Sequence, residues 1–199
     1  NYYGLFGYLD NNAVVRNLKI QTSIGISQSA SASQSSVYAG GLAGYNNGAF
    51  LYNLDVTARN SIDLNANANS TIYAGGIAGY MYGNNNKLEN SGNRGYVHTD
   101  KIPEGNKDST PIQSQASNLG GVVGKMDSAI AYNGTNGSSI TSVVNTAYNT
   151  GDVEGYLNIG GVVGQMFNGK VEHTHNLGDV NTTRHHTTLD QDSPINMGG

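Results

Sequence analysis

A ten-residue phrase that returns along the chain constrains the fold more than any other feature. Residues 36 to 45 read SVYAGGLAGY and residues 71 to 80 read TIYAGGIAGY, with seven of ten positions identical. A second pair follows, NLGGVVGKM at 118 to 126 and NIGGVVGQM at 158 to 166, while YGLFGY at 3 to 8 and NMGG at 196 to 199 share the frame. Taking the second glycine of each phrase as the anchor gives Gly4, Gly41, Gly76, Gly121, Gly161 and Gly199, spaced 35 to 45 residues apart. A period of ~20 to 50 residues marks units that bury their apolar face only by stacking on their neighbours. Residues 1–199 therefore read as one stack of repeats with no internal domain boundary.

Between anchors the apolar pattern has period two, which is the alternation of a strand. Ile62, Leu64, Ala66 and Ala68 alternate with Asp63, Asn65 and Asn67, and Leu18, Ile20, Ile24, Ile26, Ala30 and Ala32 share one parity. A second phrase, Asn-x-Gly-x-Val, recurs from Asn93 to Val97, Asn149 to Val153 and Asn176 to Val180, and fits a turn followed by an inward valine. No window carries a sustained 3.6-residue pattern with caps. The 27 asparagines and 28 glycines favour turns, and only 12% of residues are charged. The expectation is an all-β chain folded as a right-handed parallel β-helix, a β-solenoid with uncapped ends. Each coil would hold two or three short strands, and each period roughly two coils. The right hand follows from the crossover rule for parallel strands. A β-propeller has a similar period, but variable spacing and the absence of tryptophan count against it.

In this frame Gly40, Gly41, Gly44, Gly75, Gly76, Gly79, Gly120, Gly121, Gly124, Gly160, Gly161 and Gly164 are the structural anchors. Without a β-carbon they let the chain bend, take positive φ, or lie close to the next coil. Leu42, Ile77, Val122 and Val162 follow as inward plugs of a narrow core. Tyr8, Tyr45 and Tyr80 share one repeat position and Tyr38 and Tyr73 another, so ladders of stacked rings are expected. Tyr38, Tyr45, Tyr73 and Tyr80 are candidates for surface binding, because exposed aromatic rings stack on the apolar faces of sugars.

Charge and composition remove other classes. Ten Lys plus Arg against fourteen Asp plus Glu leave a net charge of −4, which does not neutralise a row of phosphates, so nucleic acid is not expected as a partner. Zero cysteines exclude disulfides and thiolate sites. No run approaches the ~18 apolar residues of a membrane helix, and NYYGLFGYLDNN lacks the features of a signal peptide. Pro103 and Pro111 flank a polar stretch, so residues 100–117 read as a projecting loop, where recognition tends to sit.

Catalytic constellations are not apparent, so the chain is read as non-enzymatic, without cofactor or metal. His173 and His175 fall on one strand face with His185 and His186 following, but there is no HExxH phrase or cysteine, so structural or solvated histidines are expected. Residues 164 to 170, GQMFNGK, match the start of a phosphate-binding loop. Val171 then replaces the required Ser or Thr, and Glu172, His173 and Thr174 continue as a strand where a helix is needed. Asp190 and Asp192 lack the GGxGxD phrase of calcium-binding repeats and read as a solvated turn. Asp152 and Glu154 read as ordinary outward neighbours. Sequons at Asn69, Asn133, Asn136 and Asn181 are no more than the abundance of Asn, Ser and Thr produces by chance.

The phrases GGLAGYNNG at 40 to 48, GGIAGY at 75 to 80, GGVVG at 120 to 124 and GGVVGQMFNG at 160 to 169 resemble the GLUG motif of large bacterial secreted and surface proteins. These include adhesin-like exoproteins and streptococcal immunoglobulin A proteases. The resemblance covers nearly the whole chain and implies a β-solenoid stalk or display module, extracellular or on a bacterial cell surface. The first copy departs from the motif, with Tyr3 in place of the first glycine. Two functions remain open on this reading: a structural or adhesive module, and an accessory substrate-binding module of a secreted protease or glycan-processing enzyme. Neighbouring repeats, copies of the chain stacked head to tail into a filament, and a host glycan or protein are the expected partners.

Overall fold

Alternating apolar and polar residues form strands here, and glycine or asparagine ends several of them, as Gly40, Asn47, Gly75 and Asn93 do. The computed structural model describes residues 1–27, 36–57, 61–65, 70–83, 85–99, 117–127, 142–155, 157–167, 169–182 and 196–198. Among the described residues the secondary structure is all β, with no helix.

The chain repeats one circuit. The first comprises β1 (Tyr2–Tyr3), β2 (Phe6–Leu9), β3 (Val14–Ile20) and β4 (Ile24–Ser27), and the second β5 (Ser36–Gly40), β6 (Ala43–Asn47), β7 (Phe50–Val56) and β8 (Ser61–Asn65). The third holds β9 (Thr71–Gly75), β10 (Ala78–Tyr82), β11 (Lys87–Asn93) and β12 (Tyr96–Thr99). The fourth holds β13 (Ser117–Gly120), β14 (Val123–Asp127), β15 (Ser142–Asn149) and β16 (Val153–Gly155). The fifth holds β17 (Asn158–Gly160), β18 (Val163–Phe167), β19 (Gly169–Glu172), β20 (His175–Asn176) and β21 (Val180–Thr182), and β22 (Asn196–Gly198) follows. Each strand pairs in parallel with its counterpart in the next circuit. Sheet A is β1-β5-β9-β13-β17-β22, sheet B β2-β6-β10-β14-β18, sheet C β3-β7-β11-β15-β19 with β20 also on β15, and sheet D β4-β8-β12-β16-β21.

One anchor period is thus one circuit of four strands, not two coils of two or three. The reason lies in the core, which is double. Leu42, Leu51, Ile77, Met81, Leu88, Val122, Met126 and Val144 bury between sheets B and C. Val37, Ile72, Val97, Leu119, Val153 and Ile159 bury between sheets A and D. Leu42, Ile77 and Val122 are fully buried as expected, while Val162 packs partly buried at the edge. The shared parity of residues 18 to 26 conceals a division, since Ile20 enters the first core and Ile24 and Ile26 the second. Ala66 and Ala68 lie outside the described residues, as do Ala30 and Ala32.

The anchor glycines work by close approach; among the described residues none of them has positive φ, and the glycines that do are Gly48 and Gly83. A Cβ on Gly40, Gly75, Gly120 or Gly160 would stand 2.0 to 2.2 Å from the carbonyl oxygen three residues on. On Gly44, Gly79, Gly124 or Gly164 it would meet the backbone of sheet A at 2.5 to 2.7 Å, because the backs of sheets A and B lie against each other. The first circuit differs by a deletion. Tyr2 pairs with Tyr38 and Tyr3 with Ala39, while Phe6 pairs with Ala43, so the corner is one residue short and Tyr3 does not stand for the first glycine.

Candidate functional site

Side chains repeated in register build rows across the sheets, and the most extensive is aromatic. Tyr8, Tyr45 and Tyr80 are ladder partners on sheet B, and Tyr2, Tyr38 and Tyr73 on sheet A. Because the two sheets lie back to back, the rows merge. Tyr38 stacks on Tyr73 with ring centroids 4.9 Å apart and planes 11° from parallel, and Tyr8 on Tyr45 at 5.2 Å and 12°. Tyr73 stacks on Tyr80 at 5.2 Å, and Tyr45 meets Tyr38 and Tyr80 edge to face at 5.4 and 5.2 Å. Tyr82 joins from 5.8 Å. Such contacts contribute ~0.5 to 1.5 kcal/mol each beyond area burial.

Stacking along the rows uses the ring faces. Tyr80 is buried, Tyr38, Tyr45 and Tyr73 are half-buried, and Tyr2, Tyr8 and Tyr82 are exposed. The half-buried rings of Tyr38, Tyr45 and Tyr73 thus have faces covered by neighbouring rings, and Tyr2, Tyr8 and Tyr82 are the more exposed members of the face. In the fourth circuit Lys125 takes the row position of Tyr80, and its ammonium lies 5.6 Å over the ring of Tyr73, 5.3 Å over Tyr80 and 5.0 Å over Phe167. The Tyr80 hydroxyl donates to Asp127 Oδ2 at 3.2 Å. Burial, then the Asp127 charge and this hydrogen bond, hold the Tyr80 proton well above the ordinary phenol range. Burial, then the adjoining tyrosines, do the same for Tyr45, and burial raises Tyr73. Tyr45, Tyr73 and Tyr80 are thereby kept as neutral hydroxyls.

A second row is asparagine. Asn93 Nδ2 donates to Asn149 Oδ1 at 3.0 Å, and Asn149 Nδ2 to Asn176 Oδ1 at 2.8 Å. Each amide also closes its own Asn-x-Gly turn, onto the carbonyls of Gly95, Gly151 and Gly178 at 2.6 to 2.7 Å. The valines that follow point inward, Val97 and Val153 fully buried. These amides fill the space beside the second anchor glycines: a Cβ on Gly76, Gly121 or Gly161 would lie 2.2 to 2.4 Å from the amide carbon of Asn93, Asn149 or Asn176. On Gly41 it would meet Gly76 O at 2.5 Å and Val56, the row partner of Asn93.

A third row crosses sheet C as a bend. Asn17, Asn53, Asn90, Thr146 and His173 have φ between 46° and 59°, and the pairs on either side bring the five into one register. Asn53 donates to Asn17 at 2.7 Å, and Asn90 to Asn53 at 3.4 Å. The bend separates His173 from His175, which sequence parity had placed on one strand face. His173 Nδ1 lies 3.1 Å from Asn145 Oδ1, whereas His175 stacks on Tyr148 at 5.8 Å. Lys170 lies on β19 and pairs with Glu172 at 2.6 Å, and of GQMFNGK residues 164–167 lie on β18 and 169–170 on β19; β19 stops at Glu172 and does not extend through His173 and Thr174.

Asp152 is outward, accepting the Asp179 N–H at 2.9 Å, but Glu154 is no idle neighbour. It accepts the Tyr96 hydroxyl and lies 3.9 Å from His98 Nε2, with Tyr96 stacked on His98. Aligning the two Asn-x-Gly-x-Val phrases on Val97 and Val153 would have revealed that pair. Asn181 is exposed on β21. The 100–116 stretch with Pro103 and Pro111, and Asn69, Asn133, Asn136, His185, His186, Asp190, Asp192 and Gly199, lie outside the described residues. Among the described residues no group of three or more His, Cys, Asp or Glu could hold a metal, and no helix is long and apolar enough to cross a membrane.

Compared with family models, curated proteins and solved structures, the chain matches none of them.

Proposed function

We propose that the chain is a segment of a right-handed parallel β-solenoid of GLUG-like repeats, serving as a non-enzymatic structural or adhesive module of an extracellular bacterial surface protein. The observation that carries this reading is the register: every sheet is parallel and each repeat phrase stacks on its own counterpart, Gly40 on Gly75, Gly75 on Gly120 and Gly120 on Gly160. Such a stack is extended by adding circuits, which suits a spacer or stalk. The right hand rests on the crossover rule.

The partners proposed are neighbouring repeats first, copies of the chain second, and a host glycan or protein along the sides. Apolar groups on the outermost circuits support the first two: Leu5 and Val14 are exposed on one, Phe167 and Leu177 on the other.

Two measurements test the reading. Electron cryo-microscopy of the parent protein should resolve a right-handed rod with circuits one strand spacing apart, and antibodies to this segment should label intact cells. A left-handed or bladed structure overturns the fold, and labelling only after permeabilisation overturns the location.

A further inference from the structure

The aromatic face concentrates seven of the 13 tyrosines in a chain that has no cysteine. Disulfides cannot tie its circuits together. Two pairs on this face combine three properties. Tyr8 with Tyr45, and Tyr38 with Tyr73, are ladder partners on adjacent strands, have nearly parallel rings, and sit 5.2 and 4.9 Å apart. Tyr52, Tyr96 and Tyr148 differ, since they stack on Phe50, His98 and His175.

We propose that this face is an oxidative cross-linking site, at which a haem peroxidase acting with hydrogen peroxide joins Tyr8 to Tyr45 and Tyr38 to Tyr73 as dityrosine. Each phenol yields one electron and its hydroxyl proton to the oxidant. The two ring radicals form a carbon–carbon bond between positions ortho to oxygen, and the hydrogens at those carbons shift to restore both hydroxyls. One hydrogen peroxide takes up the two electrons and two protons and leaves as two waters. The link therefore costs the protein two hydrogen atoms.

Access and transfer are both provided. Tyr2 and Tyr8, 48% and 46% exposed, meet the oxidant first. Contacts of 5.1 to 5.5 Å from Tyr2 to Tyr38 and Tyr45 carry the oxidation inward by exchange between rings. The links would fasten the first three circuits along sheets A and B. This inference rests on ring geometry and stands whether or not the solenoid reading holds.

The test treats the dilute full chain with a plant haem peroxidase and hydrogen peroxide, using free tyrosine in a parallel reaction to verify the oxidant. The expected product is a monomer lighter by two hydrogens per link, with dityrosine fluorescence and linked peptides mapping to Tyr8–Tyr45 and Tyr38–Tyr73. Tyr38→Phe with Tyr45→Phe keeps the rings and should reduce intrachain dityrosine to background. Tyr8→Phe alone should remove only the first link, and it decides the matter if the double variant fails to fold. Absence of dityrosine while free tyrosine couples, links found only between chains or at Tyr52, Tyr96 or Tyr148, or unchanged yield in the variants would each overturn the proposal.

Discussion

The side-chain amide of Asn149 occupies the place where Gly121 would carry a β-carbon, with its Cγ 2.2 Å from that point. Asn149 itself is fully buried and donates to both Gly151 O and Asn176 Oδ1. Two motifs 28 residues apart in sequence are thus one packing unit. Gly121→Ala should cost about 3 kcal/mol, the upper end of core overpacking. Asn149→Ala should cost about 2 kcal/mol by leaving buried backbone groups unpaired. Urea unfolding of both and of the double variant is the check. The double variant should lose less than the sum, with the remainder due to Gly161 O, also 2.2 Å from the added carbon.

Thr146 holds φ at 52°, a left-handed conformation that a β-branched residue adopts only under strain. Its row partners in earlier circuits are Asn53 and Asn90, which tolerate that region. Thr146→Asn should raise stability by about 1 kcal/mol, and Asn53→Thr should lower it by a similar amount. Equal denaturation midpoints for all three proteins would contradict the strain.

Leu42 closes the corner between sheets A and B at full burial. Leu42→Ala should cost about 2 to 5 kcal/mol, and Leu42→Asp should abolish folding of its circuit. Hydrogen exchange locates the loss: protection should vanish first on strands β6 and β10, and uniform loss along the chain would argue against stacking of near-independent circuits.

The buried and half-buried phenols make stability depend on alkaline pH. Tyr45, Tyr73 and Tyr80 are raised in the folded state, chiefly by burial, above the ~10 of an unfolded tyrosine. Above pH ~10 the unfolded chain releases protons that the folded chain retains, so stability is full below that pH and falls as pH rises further. A spectrophotometric titration should show a group of tyrosines ionising only as the fold is lost. Reversible ionisation of all tyrosines near pH 10 with the fold intact would refute this.

The repeat phrases were readable because stacking favours similar residues at the same place in successive circuits. The tyrosine ladders, the inward plugs and the valines after each Asn-x-Gly turn all came from that preference. Pairs spanning different phrases were hidden. Nothing in the sequence marked Gly92 as the seat of Tyr148, whose ring lies 2.0 Å from a β-carbon there while its hydroxyl takes a hydrogen bond from Arg94. Nor did the parity of His173 and His175 disclose the left-handed bend at His173, between β19 and β20.

Sequence alone therefore determined the repeating unit, its all-β character and the strand alternation, because these depend on residues near one another or on exact recurrence. Tertiary structure decided how many strands make a circuit and which rows meet. The division into two cores is the reason. Sheets A and B can lie back to back only where Gly44, Gly79, Gly124 and Gly164 leave out a side chain, and that contact requires both strands in place. The same contact brings two tyrosine rows, separately visible in the sequence, into a single aromatic face.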